Sequence, residues 1–230
     1  MIKIKVLRSA PGVTPFFQTF DYEPEPEDTV ATALTRLNAT EDLTDETGAP
    51  ATPIAWECSC LQKKCGACAM IINGRPRLAC DARLSELGKR ITLKPLGKFP
   101  VVKDLIVDRE ILRANLKTLN LWLSKDAQLP EKKTDLAYTA GRCLQCGCCL
   151  EVCPNFYPGG TFFGTSVVPV TTRVLTETDK ESRSAIAKAY DKHYYEGCGK
   201  SLACVNVCPI GRDVQKLLVN SNAMAIWKRK

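Results

Sequence analysis

The 230-residue sequence predicts an α+β chain, with a β-rich domain over residues 1–104 followed by an α-rich domain over residues 105–230. Three observations predict it. Ile2, Ile4 and Val6 alternate with Lys3 and Lys5, the two-residue period of a half-buried strand. Asn73-Gly74 separates two short apolar runs, the strongest short-range sign of a hairpin. Beyond residue 100 the apolar spacing lengthens, and Leu105, Leu112, Leu116, Leu119 and Leu123 recur at helical intervals. A hydrophobic fraction of 45% with 25% charged residues suffices for a sizeable core.

The elements follow in order. The first strand and a second from Thr14 to Asp21 form a hairpin with its turn near Pro11-Gly12. Asp28-Thr29 offers an N-cap to a short helix, VATALTRL. Ala69–Ile72 pairs across the Asn73-Gly74 turn with Arg77–Ala79, and Ile91–Pro95 reads as the last strand. The segment 101–128 reads as one amphipathic helix, with a loop, QLPEKKTD, after it. From Asp135 onward come short helical stretches broken by Cys-Pro and Gly, among them Ser182–Tyr190 and a helix from Gly211 to about Ala225.

Cysteine usage narrows the chemistry. The 13 cysteines are an odd number, and they fall in three clumps: Cys58–Cys80, Cys143–Cys153 and Cys198–Cys208. A disulfide framework favours an even count, dispersed bridges and an export signal. The opening MIKIKVLRSA reads as a strand rather than as such a signal. Clumped thiols of this kind point to metal. No run of about 18 apolar residues exists to span a membrane. The formal net charge of +7 is a weak pointer to nucleic acid, because three thiolate-bound clusters of roughly −2 each would offset most of it.

The spacings specify which metal. Cys60-x4-Cys65-x2-Cys68, with Cys80 after eleven intervening residues, matches the plant-type loop of a [2Fe–2S] cluster. A four-cysteine zinc site is the competing reading, but zinc ribbons use two separated pairs. Cys58 gives the wrong gap to Cys65 and reads as a free, buried thiol. Cys143-x2-Cys146-x2-Cys149-x3-Cys153-Pro154 is the bacterial ferredoxin run, in which the cysteine before proline serves the neighbouring cluster. Cys143, Cys146, Cys149 and Cys208 are therefore expected to hold a [4Fe–4S] cluster. Cys153, Cys198 and Cys204 are expected to hold another.

That last set stems from an internal repeat, Cys198-x2-Ser201-x2-Cys204-x3-Cys208-Pro209, in which Ser201 stands where the first copy has cysteine. A cubane corner without a thiolate readily loses its iron, so a [3Fe–4S] cluster is expected. A cubane with oxygen or water at Ser201 is the alternative. Cys148 is out of phase with the ligands and reads as a spare.

These motifs in this order resemble the iron–sulfur subunits of succinate dehydrogenase and fumarate reductase, the complex II family. WECSCLQKKCGACAMIINGRPRLAC is similar to that family's [2Fe–2S] loop, PLGKFPVVKDLIVDR to its domain linker, and CLQCGCCLEVCPN with CVNVCP to its cubane segments. The form CGCCLEVCPN is similar to the menaquinone-linked bacterial type. The resemblance implies a β-grasp ferredoxin domain followed by an α-helical ferredoxin domain, and an electron-transfer role with no catalytic residues of its own.

It further implies a flavoprotein subunit with FAD and a membrane-anchor cytochrome b subunit with haem b. Menaquinone would be reached through the anchor, and the chain would lie peripherally on the cytoplasmic face of the inner membrane. The chain of a soluble thiol-linked fumarate reductase is the alternative within the same module, and a zinc-dependent nucleic-acid binder is the alternative outside it. Ubiquinone-type members carry His after the first cysteine of the last motif and Trp shortly after the first Cys-Pro. Here Gly199 and Tyr157 or Pro158 stand in those places.

Three further residues or groups admit two readings. His193, the single histidine, reads as structural rather than as a relay. Phe156, Tyr157 and Phe162 read either as a docking face or as core. The basic end WKRK reads as a solvated tail or as a lipid contact.

Overall fold

The computed structural model describes residues 1–227 except 124, 128 and 129, with the backbone alone at 180 and 181. Residues 128 and 129 of the expected loop and the end of the basic tail at 228–230 lie outside the described residues. The chain divides into two units, Met1–Asp108 and Arg109–Lys230, where the sequence pattern suggests a change at 104/105.

In the first unit β1 (Ile2–Ala10) and β2 (Val13–Tyr22) form the N-terminal hairpin. Gly12, at φ +76, supplies the turn. The helix α1 (Val30–Asn38) starts where the sequence signals it, with Thr29 and Thr32 forming a reciprocal capping box. Then come β3 (Ala69–Ile72), β4 (Arg75–Leu78) and β5 (Arg90–Lys94). Asn73 and Gly74 both adopt positive φ, the hairpin turn their sequence favours. The sheet runs β2-β1-β5-β3-β4, with β1 and β5 parallel and the other neighbours antiparallel. This is the β-grasp arrangement. Ile4, Val6, Phe20, Ile72, Ile91 and Leu93 are fully buried in the core.

The alternation that buries Ile2, Ile4 and Val6 also directs Arg8 inward, and only 5% of it is exposed. All of its side-chain nitrogens are used. Nε donates to Asp104 Oδ1 at 3.1 Å, Nη1 to Gln18 Oε1 and the Thr52 carbonyl, and Nη2 to Thr52 Oγ1 and the Pro53 carbonyl. Asp104 in turn accepts from the amides of Ser9 (3.2 Å) and Ala55 (2.9 Å), while its own amide donates to the Ser9 carbonyl.

This buried pair accounts for a correction. Residues 101–107 are not helical. They form a small hairpin, β6 (Val101–Lys103) and β7 (Ile106–Val107), turned at Asp104 with φ +46. The helical spacing of Leu105 with Leu112 is overridden by the pairing of Asp104 with Arg8, 96 residues away.

The second unit is helical: α2 (Glu110–Thr118), α3 (Thr134–Gly141), α4 (Cys148–Glu151), α5 (Val167–Glu177), α6 (Lys180–Tyr190) and α7 (Val214–Ala225). The expected helix to residue 128 stops at Thr118. Asn120 takes φ +52, and the amides of Leu121 and Asn120 return to the carbonyls of Leu116 and Lys117. Those two bonds are the Schellman cap. The helix α5, which the sequence pattern does not signal, is the hub of the unit, packing against α2, α3, α6 and α7. Its Thr172 hydroxyl lies 2.6 Å from that of Ser221 on α7, both fully buried. A π-helical turn, Asp191–Tyr195, extends α6.

Removing the Asp104 carboxylate leaves a buried guanidinium uncompensated. Asp104→Ala is expected to cost about 3–5 kcal/mol, read as a lowered denaturation midpoint. Hydrogen exchange at the Ser9 and Ala55 amides should accelerate. The double variant Arg8→Met/Asp104→Leu should lose much less than the single one.

Candidate metal centres

The first cysteine loop lies in the β-grasp unit, in irregular backbone before β3. Leu61 (φ +51), Lys63 (φ +59) and Gly66 (φ +80) are left-handed. This winding turns backbone amides toward sulfur. The amides of Gln62 and Lys64 each donate to Cys60 Sγ at 3.3 Å, and the Lys63 amide donates to Cys80 Sγ at 3.3 Å. Cys80 follows β4 on a single 3-10 turn, Ala79–Asp81, tied to the loop by the Ala79 amide on the Cys68 carbonyl. Lys63 Nζ also pairs with Asp81 at 2.7 Å.

The Gln62 and Lys64 amides bring the Cys60 thiol down to about 7, and Cys60 also bonds Cys65. Burial pushes Cys68 up to about 12, beside Cys80. The structure thus brings Cys60, Cys65, Cys68 and Cys80 together. Cys58 is exposed, which corrects the expectation of a buried thiol. It lies in the irregular segment ahead of the loop, outside the sheet's core.

In the helical unit, Cys143, Cys146, Cys149 and Cys208 line one small cavity. Gly147 caps α4 at φ +87, turning the chain between Cys146 and Cys149. Gln145 bridges the cavity wall, its amide nitrogen donating to Cys143 Sγ (3.2 Å) and to the Ser166 carbonyl (3.0 Å). A hydrogen bond from Cys148, with help from the Arg109 charge, brings Cys146 down to about 7. The same bond and burial push Cys148 up. Burial raises Cys149, and the sulfurs of Cys146, Cys143 and Cys204 add to the effect. Arg212, only 8% exposed, also lines the cavity. Sequence reasoning misses it, although a charge four residues after Cys208 is an available signal.

Cys204 is raised chiefly by burial and then by Cys153 and Cys198, so the third set also shares one neighbourhood. Its loop repeats the backbone of the second. Gln145 (φ +50) and Gly147 (φ +87) flank Cys146, while Lys200 (φ +56) and Leu202 (φ +56) flank Ser201. Ser201 therefore occupies the conformational equivalent of Cys146, and its side chain is exposed. The π-helical turn brings the Tyr194 hydroxyl to Cys198 Sγ at 3.7 Å. A Cβ built at Gly199 would meet Asn155 Nδ2 at 2.8 Å, and that amide is committed to the Gly197 carbonyl.

Among the described residues no three His, Cys, Asp or Glu side chains converge to grip a single metal ion. The donor sets are sulfur throughout, amides point at sulfur in the first loop, and a cavity lies between sulfurs in the second. These features fit iron–sulfur clusters. Phe156 and Phe162 are buried, whereas Tyr157 is 64% exposed. His193 stacks on Phe163 with centroids 4.3 Å apart, and its Nδ1 lies 3.0 Å from the Thr161 carbonyl.

Residues 3–113 match a family model described as a 2Fe-2S iron-sulfur cluster binding domain. The chain is 35% identical over 208 residues to the succinate dehydrogenase iron-sulfur subunit of Bacillus subtilis (strain 168), spanning 86% of this chain and 81% of that one. It is 28% identical over 217 residues to a fumarate reductase (CoM/CoB) chain of Methanothermobacter marburgensis, spanning 91% of this chain and 41% of that relative. Its fold resembles a chain of the Mycobacterium smegmatis Sdh1 complex in the apo form, with a TM-score of 0.78 and 24% identity over 100% of this chain and 96% of that chain. With the cysteine loops arranged as described, and with identity of this extent along most of its length, the chain belongs to the iron–sulfur subunits of the succinate dehydrogenase and fumarate reductase family.

Proposed function

We propose that this electron-transfer subunit carries three different clusters in series. Cys60, Cys65, Cys68 and Cys80 would hold [2Fe–2S], Cys143, Cys146, Cys149 and Cys208 would hold [4Fe–4S], and Cys153, Cys198 and Cys204 would hold [3Fe–4S]. When bound, such clusters supply reversible one-electron transfer at potentials set by type, hydrogen bonding and burial. The observation that carries the reading is the cavity bounded by Cys143, Cys146, Cys149 and Cys208, which joins a close run of cysteines to one far along the chain.

The chain's own residues prepare these sites. The amides of Gln62, Lys63 and Lys64 stabilise sulfur as thiolate in the first loop. Gln145 fixes Cys143 against the wall that carries Ser166. Buried Cys148 serves as a proton donor to Cys146 rather than as a ligand.

On this reading electrons enter from a flavoprotein subunit with FAD and leave through a membrane-anchor cytochrome b subunit carrying haem b, then to menaquinone. No helix among the described residues is long and apolar enough to cross a membrane, so attachment to the cytoplasmic face would run through the anchor. Gly199 stands where ubiquinone-type relatives carry His, and without that imidazole delivery through haem is the route this reading expects. Similarity to a chain of a fumarate reductase (CoM/CoB) favours a second reading, a soluble thiol-linked fumarate reductase. Co-purification with a cytochrome b, or with a thiol-oxidising partner, separates the two.

Anaerobically purified protein should contain about nine iron atoms per chain, with an oxidised-state [3Fe–4S] resonance and a reduced-state [2Fe–2S] resonance. Ser201→Cys should diminish the oxidised-state resonance as a cubane of lower potential forms. An unchanged resonance would contradict the assignment at Ser201. Cys148→Ala should keep full iron, whereas Cys146→Ala should lose the [4Fe–4S] signal. Equal losses in the two variants would refute the ligand set.

A further inference from the structure

Arg212 stands in the short link between Cys208 and α7. Gly211, at φ +62, turns this link, with its amide on the Cys208 carbonyl at 3.0 Å and the Val214 amide on the Arg212 carbonyl at 2.8 Å. The turn sends the Arg212 side chain into the wall of the cavity that Cys143, Cys146, Cys149 and Cys208 line. Only 8% of the residue is exposed. Its Nε and Nη1 are buried and find no hydrogen-bond partner. The groups that act on it most strongly are sulfurs: Cys143, which it also hydrogen-bonds, then Cys208 and Cys149.

A guanidinium keeps its charge at any pH a protein survives. Leaving one buried without an anion is strongly destabilising, and Arg8 shows how this chain treats such a group elsewhere, with every nitrogen occupied. Arg212 lacks that treatment, and it lines a cavity walled by thiols. The partner it calls for is therefore an anion inside the cavity. A cubane with four thiolates carries roughly −2 when oxidised and one further negative charge after accepting an electron. A fixed cation beside it is attracted more strongly to the second state than to the first.

We propose that Arg212 is the buried counter-charge of the centre held by Cys143, Cys146, Cys149 and Cys208, and that it raises the reduction potential of that centre. The proposal rests on the ligand reading given above. Arg212 acts as a positioning and tuning residue, since the electron resides on the metal centre and no bond to Arg212 forms or breaks. Its role is separable from that of Arg109, whose charge acts on Cys146 and Cys148.

The test uses the intact complex, with Arg212→Gln and Arg212→Lys, in a redox titration followed by low-temperature electron paramagnetic resonance. Arg212→Gln should lower the equilibrium for one-electron reduction of the [4Fe–4S] centre at least tenfold, about 59 mV. The other two centres should keep their potentials, and Arg212→Lys should recover most of the loss. Should Arg212→Gln fail to retain the centre, retention in Arg212→Lys with a near-normal potential supports the counter-charge. Two results overturn the proposal: an unshifted potential in Arg212→Gln, or an equal shift in both variants, which would make shape and not charge the cause. Absence of a [4Fe–4S] signal in the unsubstituted complex would instead overturn the ligand reading.

Discussion

Thiolates repel one another, and this chain gathers several cysteines in each unit. At 4 Å two unit charges in a partly screened protein environment repel by about 4 kcal/mol, while a hydrogen bond to a charged group returns about 1.5–3 kcal/mol. No single donor balances such a cluster, so each site needs several. The first loop supplies three amides by winding through left-handed residues. The second supplies Gln145, Cys148 and the buried charge of Arg212. Much of the irregular backbone serves this one requirement.

The requirement explains why the sulfur loops tolerate strained conformations that a regular element would reject. A left-handed residue with a side chain costs roughly 1–2 kcal/mol, and Leu61, Lys63, Gln145, Lys200 and Leu202 all adopt one. The surrounding scaffold has to hold them. In the β-grasp unit it does so through the sheet and the Arg8–Asp104 pair, which anchors Ala55 a short way ahead of Cys60. In the helical unit it does so through α5, whose N-terminal approach carries Thr165 and Ser166 to the cavity wall.

The sulfur chemistry is legible in the sequence because cysteine spacing is local and few chemistries share it. The first hairpin, the Thr29 cap and the Asn73-Gly74 turn are legible for the same reason, since each signal lies within a few residues of its effect. What escapes depends on distant partners or on an ambiguous period. The hairpin at 101–107 exists because Arg8 needs Asp104. The helix α5 hides in VVPVTTRVL, a β-branched run whose nearly complete burial erases any polar face. The end of α2 turns on Asn120 taking a left-handed φ, which its helical neighbourhood does not advertise. Arg212 has only its closeness to Cys208 to mark it in the sequence, and its burial in the cavity wall shows only in the fold.

The π-helical turn at Asp191–Tyr195 sets a limit of a different kind. Its amide-to-carbonyl bond from Glu196 to Asp191 spans one residue more than an α-helical bond. The aromatic row of Tyr190, Tyr194 and Phe162 depends on that extra step to meet Cys198. A helix advances about 100° per residue, so a chain shortened by one position here would present a different face to the sulfur. In this segment the number of residues is constrained as well as their identity.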